Sequence, residues 1–574
     1  MRWRFPWPRR VASDGAAAAP PATGARRRTV ARAVVRDALG LALACAGSAW
    51  AGVWIGTRLC PFIGNYDTYS YLWSRPVTAH FWIGRSLTQR MLFRLFGSGL
   101  GAAAWVQLGA FVVAAAGLYL LLRPRRVAPA LATGAAVGFL FLSYLLSVSA
   151  VSVTAEPVHM ALLLLFPAVL FRARGAVRWL TLVPLGLLFL LAKNVAPYLV
   201  LVYLALHAVL RPRFRAPWPE WAAAALLAAA AVGRIAVTLR YDTSVELNTA
   251  HAIFRQVFTD DARTRRFHER YGMPLGRHVR TFRGRDVNAG SHDGGRIYYA
   301  DYETMNYRLA ARDRSGFVTW VREKGRDSYL RYLFLDDPLW TWCEFVRSFD
   351  AAARPGFFAR SVAAPFEMNS QLTLNILQVV ESPSVKWFLL RLVRVTGQRN
   401  FDRAAFVEHG TILAAGRPGR ETGFFGFEPL DVVCRAARWI GFGRVWGSLL
   451  WVVAGLLLWR RDRANDRLAL GAAGVLASFI HFFLGYFGDG TSARHYMPAL
   501  VAHLAAACLL ATAAVSAAIS AAARRAARPG VGSRGSGVGV QGSGVRRGRD
   551  GEAARLGAEG GSAAKALSLS KSGP

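Results

Sequence analysis

The sequence predicts an all-α polytopic membrane protein, and three observations carry that expectation. Hydrophobic residues make up 53% of the chain and fall into separate runs of about 20, the length that crosses a bilayer. Arginine clusters stand on alternate connections between the runs, as the positive-inside rule requires of cytoplasmic loops. The long stretch between the seventh and eighth runs reads as helical, as in 252–270 and 317–334, rather than as strands.

Charge placement agrees with that class. The chain carries a net +37, which in a soluble protein would suggest nucleic acid. Residues 241–440, however, hold 29 basic and 23 acidic side chains, a net +6, so +31 lies in the tails and short connections. That is a membrane topology signal, and it argues against a nucleic-acid partner.

Residues 1–36 are rich in Arg, Ala and Pro, with Arg26-Arg27-Arg28 near the end and no apolar periodicity, and read as a disordered basic cytoplasmic tail. A first span follows at 38–56, taken as an uncleaved anchor because the apolar run continues through Val53, Trp54 and Ile55 before Arg58 stops it. The loop 58–99 contains Phe81 to Phe96, in which Leu87, Met91 and Leu95 repeat every four residues while Arg85, Gln89 and Arg90 point elsewhere. This is the pattern of an amphipathic helix lying in the interface.

Further spans are expected at 101–122, 127–146, 157–171, 177–192, 196–210 and 221–239. The basic connections 123–126, 172–178 and 211–215 alternate, so a cytoplasmic N-terminus brings the chain outside after seven helices, at Arg240. Residues 241–440 then form a mainly helical extracytoplasmic insertion, punctuated by Gly294-Gly295, Asp337-Pro338 and Arg354-Pro355. Three C-terminal spans within 441–523, at 445–459, 468–487 and 497–521, bring the total to about ten and return the chain to the cytoplasm. The Gly/Ser/Arg-rich residues 524–574 read as a second disordered tail. The predicted location is the cytoplasmic membrane, multi-pass, with both termini inside.

Cysteines are too few for a disulfide scaffold. Cys45 and Cys508 lie in apolar runs and are expected as core thiols; Cys60, Cys343 and Cys434 fall on the outside, where one bridge among them is open.

Polar groups at the outside edges are the candidates for chemistry. Gly64-Asn65-Tyr66-Asp67-Thr68-Tyr69-Ser70-Tyr71 sets the carboxylate of Asp67 among aromatics at the interface. Thr154-Ala155-Glu156-Pro157 opens the fourth span, Lys193-Asn194 separates the fifth from the sixth, and Arg494-His495-Tyr496 lies between the last two. Hydrocarbon penalises such groups, so their presence suggests function. Each also has a plain reading. Glu156 suits the N-terminus of a helix beginning at Pro157, Lys193 and Arg494 suit snorkelling, His495 a satisfied loop histidine, and Tyr66, Tyr69 and Tyr71 an interfacial aromatic belt.

These features together resemble the GT-C class of integral-membrane glycosyltransferases: an acid in the first outside loop, an interfacial helix in that loop, Thr154-Ala155-Glu156-Pro157 before an apolar helix, and a seven-helix module preceding a variable part. The resemblance covers residues 38–240 and the turn Arg494-His495-Tyr496-Met497-Pro498. It implies transfer of a sugar from a polyprenyl-phosphate donor to an extracytoplasmic acceptor, in the setting of membrane lipids. On that reading Asp67 is the base and Glu156 the second acid, Lys193, Arg494 and His495 meet the donor phosphate, and Tyr66, Tyr69 and Tyr71 meet the acceptor. Asp67 has no adjacent second acid, so no cofactor is implied beyond an optional divalent cation, and the insertion lies between helices seven and eight rather than at the end. Two other classes stay open: a transporter or lipid flippase whose polar groups line a path, and a non-catalytic envelope assembly protein.

Overall fold

A computed structural model describes residues 23–58, 86–96, 100–124, 127–151, 155–173, 175–210, 218–241, 249, 252–253, 256–257, 261–274, 317–358, 427–461, 465–489 and 496–526. Among these residues all regular structure is helical. Compactness divides the chain into residues 1–519 and residues 520–574.

The first half is a bundle of apolar helices: α1 (Thr23–Arg58), the short α2 (Leu87–Phe96), α3 (Leu100–Leu122), α4 (Val127–Phe141), α5 (Tyr144–Val151), α6 (Glu156–Arg172), α7 (Gly175–Leu190), α8 (Ala196–Leu210) and α9 (Trp218–Tyr241). α3 packs along α6, and α1 packs along both α3 and α4. The α1–α4 seam is close because it is lined with glycine. A Cβ on Gly138 would stand 2.4 Å from the carbonyl oxygen of Leu43, and one on Gly134 would stand 2.3 Å from that of Gly40. Small residues let two backbones approach in this way where lipid supplies no hydrophobic drive between helices.

The second half begins with α10 (Asp261–Tyr271) and a rod in which α11 (Phe317–Trp320) and α12 (Arg326–Arg331) alternate with π-helical turns at Val321–Gly325 and Tyr332–Asp336. α13 (Pro338–Ala352) follows, started by Asp337, whose side chain accepts from the backbone N–H of Trp340. Then come α14 (Pro429–Trp439), α15 (Val445–Arg461), α16 (Asp466–Phe483) with a π-helical turn at Leu484–Asp489, and α17 (Met497–Ala526). Phe267, Trp320, Phe345 and Phe349 from this half share one apolar core with Phe482 and Leu504 of the last helices. The described parts of the insertion are therefore seated on the bundle.

The protein is membrane-embedded by the length and composition of its helices. Five stretches among the described residues reach the span criterion: Ala33–Trp54, Trp105–Leu122, Pro219–Arg240, Asp466–Gly488 and Met497–Ala523. The remaining expected spans are present as helices of 15 to 17 residues. At 1.5 Å per residue these reach about 22–26 Å, less than the hydrocarbon thickness of about 30 Å.

Four expectations are corrected. The helix of the first span begins at Thr23, taking up the end of the expected tail, because Ala and Arg are strong helix formers whatever their polarity. The span expected at 127–146 breaks at Leu142-Ser143 and restarts as α5, for a reason given below. Cys508 is exposed on the bundle surface and Cys45 half-buried, so neither is a core thiol; Cys343 and Cys434 are both free, and Cys60 lies outside the described residues. α17 also carries Arg524 and Arg525 in helix up to Ala526; residues 527–574 of the expected tail lie outside the described residues.

Candidate functional site

The turn between α7 and α8 gathers the polar groups. α7 ends at Leu190, and the chain passes through Leu191, Ala192, Lys193, Asn194 and Val195 before α8 begins. Lys193 Nζ donates to Glu156 Oε1 over 3.1 Å, with the two side chains 18% and 8% exposed. Glu156 is the first residue of α6, after Ala155, which makes no side-chain cap, and before Pro157, whose missing N–H costs nothing there. The acid thus stands where the helix dipole favours it, and its carboxylate is also held by a cation from another helix connection.

One turn further along α6, His159 is fully buried, and its Nε2 lies 3.4 Å from Nε2 of His481 on α16, itself 2% exposed. The rings meet edge-on, and Phe189 of α7 packs against His159. Glu156 and His159, three residues apart, lie on one helix face. That spacing is visible in the sequence and is the signal by which His159 could have been found; His481, on a distant helix, has none.

The short helix α2 docks at the same place. The backbone N–H of Leu87 donates to the carbonyl of Leu191 over 3.0 Å, and the Thr88 hydroxyl donates to the carbonyl of Leu188. Its polar residues Thr88, Gln89 and Arg90 are buried, while Met91, Leu95 and Phe96 are exposed. The amphipathic pattern read from Leu87, Met91 and Leu95 is observed as a helix whose Met91, Leu95 and Phe96 point outward with Arg94, while Thr88, Gln89, Arg90 and Phe93 turn toward protein. Burial lowers the proton affinity of Arg90, helped by Arg94.

Asp67, Tyr66, Tyr69, Tyr71, Arg494 and His495 lie outside the described residues. The structure brings Glu156 and Lys193 together. It adds His159, His481, Gln89 and Arg90, which the sequence reading did not single out as site residues. Among the described residues no group of three or more His, Cys, Asp or Glu is placed to hold a metal. The two imidazoles alone fall short of the three protein ligands usual at a catalytic zinc.

Two other buried polar clusters serve packing. His503 of α17 donates from Nε2 to the carbonyl of Phe442, and its Nδ1 lies 2.9 Å from Ser478 Oγ, which ties α17 to α16 and to the start of α15. Near the N-terminus of α9, Glu220 Oε1 lies 2.8 Å from His207 Nε2 and 3.2 Å from Arg178 Nη1, joining α7, α8 and α9. No protein-family model, curated protein or solved structure matches this chain.

Proposed function

We propose that the protein is a membrane glycosyltransferase of GT-C type, which moves a sugar from a polyprenyl-phosphate donor to an extracytoplasmic acceptor. On this reading the 15- to 17-residue helices cross as well, making about ten spans, and the arginine-rich connections keep both termini in the cytoplasm, so that the Glu156–Lys193 pair faces outside. The observation that supports the reading best is that pair: an acid and a cation from two helix connections meet at one end of the bundle, where an outward-apolar helix also docks. A polyprenyl phosphate would arrive there with its tail in lipid and its anionic head at the pair.

In the reaction, Asp67 accepts the proton of an acceptor hydroxyl as its oxygen attacks the anomeric carbon, and the bond to the phosphate oxygen breaks. Lys193, Arg494 and His495 neutralise the charge that develops on the leaving polyprenyl phosphate. Glu156 orients the Lys193 ammonium rather than acting on the sugar, and Tyr66, Tyr69 and Tyr71 receive the acceptor. The test is reconstitution of the purified protein in proteoliposomes with a short-chain polyprenyl-phosphate sugar and envelope acceptors, with product read by mass spectrometry.

A second reading has one observation in its favour. The break between α4 and α5 at Leu142-Ser143 is the kind of interrupted helix that transporters and flippases use. Movement of the lipid-linked sugar across the bilayer with no glycosidic product would select it.

A further inference from the structure

The break in the span expected at 127–146 has an acceptor from far along the chain. α4 ends at Phe141, and α5 restarts at Tyr144 with backbone N–H groups that have no partner within their own helix. Glu428, 284 positions later, supplies one: its Oε2 accepts from the N–H of Tyr144 at 3.1 Å and from that of Leu145 at 3.4 Å. Its other oxygen, Oε1, accepts from the N–H of Leu430 at 3.2 Å and so caps its own helix, α14. One carboxylate thus caps two helices that start toward it, and it is 7% exposed. Beside it Phe427 stacks on Phe139 of α4, with ring centroids 6.0 Å apart.

Both ends of this contact lead somewhere. α5 runs to Val151, and four residues later comes Ala155, the cap of the helix that carries Glu156 and His159. On the other side, Asp431 of α14 accepts from the N–H of Gly356, and Arg438 of α14 donates to the carbonyl of Asp350 at the end of α13. We propose that Glu428 is a positioning residue: it latches the insertion onto the broken helix and so sets where the Glu156 segment enters the site. This rests on the functional reading above for its catalytic meaning, but the latch itself is read by other means.

The latch carries a pH signature. Burial foremost pushes the Glu428 carboxyl up to about 7, with Asp431 acting in the same direction, against hydrogen bonds from Ser143, Leu430 and Leu145 that pull it down. The titratable groups facing it are Tyr144 of α5 and Asp431 and Cys434 of α14; α4 brings none. When the latch opens into water, Glu428 returns toward an ordinary carboxyl near 4.5. A carboxyl raised in the closed state favours closure below its ordinary value, and that advantage is lost as pH rises through about 7. Opening therefore becomes about tenfold easier between pH 6 and pH 8.

Hydrogen–deuterium exchange on the full-length protein in detergent, corrected for intrinsic rates, tests this. It follows the peptides covering residues 142–151 and 155–160 at pH 6 and pH 8. Wild type should lose about tenfold of protection in both peptides at the higher pH. Glu428→Gln, which keeps one acceptor oxygen for the Tyr144 and Leu145 N–H groups, gives up the cap on Leu430 and cannot ionise, should show protection that no longer depends on pH, and Glu428→Ala should lose it at both. Unchanged protection in Glu428→Ala overturns the proposal, as does pH-independent protection in wild type. Opening of 142–151 with 155–160 still protected also overturns it, because the latch would then hold α5 without positioning Glu156. If Glu428→Ala does not fold, the wild-type and Glu428→Gln pH comparison still decides. Exchange that behaves as expected in a protein that makes no product would leave the latch standing and remove only the glycosyltransferase reading.

Discussion

Lys193 reaches Glu156 across the turn between α7 and α8, and this ion pair is mostly buried. Removing one member of such a pair leaves the other charge uncompensated, which costs more than removing both. Lys193→Met should lower stability by about 3 kcal/mol, and the double variant Lys193→Met with Glu156→Gln should recover part of that. Thermal unfolding in detergent, followed by tryptophan fluorescence, gives the cycle. Equal losses in the single and double variants would mean that the pair is solvated and does not hold the turn.

A glycine inside the α1–α4 seam and one outside it lead to opposite predictions. Gly138→Ala drives a Cβ toward the backbone oxygen of Leu43, so the helices must separate, at about 1–3 kcal/mol. Gly109 of α3 has nothing within 4 Å of its added Cβ, and Gly109→Ala should be neutral or stabilising by up to about 1 kcal/mol. Melting temperatures of the two variants, compared with wild type, check both signs.

His503 and the pair of His159 and His481 are all buried histidines, yet they differ in what surrounds them. His503 sits between Ser478 and the carbonyl of Phe442, a set that pins three helices. His503→Ala should cost about 2–4 kcal/mol of stability while the turnover of the folded fraction stays near wild type. Turnover per folded molecule is the deciding measurement, and a large fall would bring His503 into the site.

Much of the helix pattern was legible because apolar runs report removal from water, whether into lipid or into protein. The runs read at 101–122 and 196–210 are helices at Leu100–Leu122 and Ala196–Leu210. The docking helix was legible too, since Leu87, Met91 and Leu95 repeat every four residues. The break at Leu142-Ser143 was not, because nothing local requires it and its acceptor, Glu428, is 284 positions away. In the site, Glu156 and Lys193 announced themselves as charges at the edges of apolar runs, whereas His481 lies inside one and gains meaning only from His159, 322 positions earlier.

A guanidinium can offer a phosphate two parallel hydrogen bonds, and an ammonium cannot. If Arg494 meets the donor, Arg494→Lys should keep part of the donor affinity, and Arg494→Ala should lose about ten- to a hundredfold. Binding of a short-chain polyprenyl-phosphate sugar to the purified variants measures it. Unchanged binding in Arg494→Ala would move the phosphate site toward Lys193.

If the outer end of the bundle transfers sugar with Asp67 as base, removing that base must stop the reaction while the fold survives. Wild type and Asp67→Asn, purified and reconstituted at equal folded amounts, are given the polyprenyl-phosphate sugar and acceptor, and the initial rate of product is measured. Asparagine keeps the size of aspartate and loses its proton acceptance, so wild type should make product and the variant should be slower by about 10²-fold or more. Equal rates from the two proteins, or no product from well-folded wild type, would contradict it.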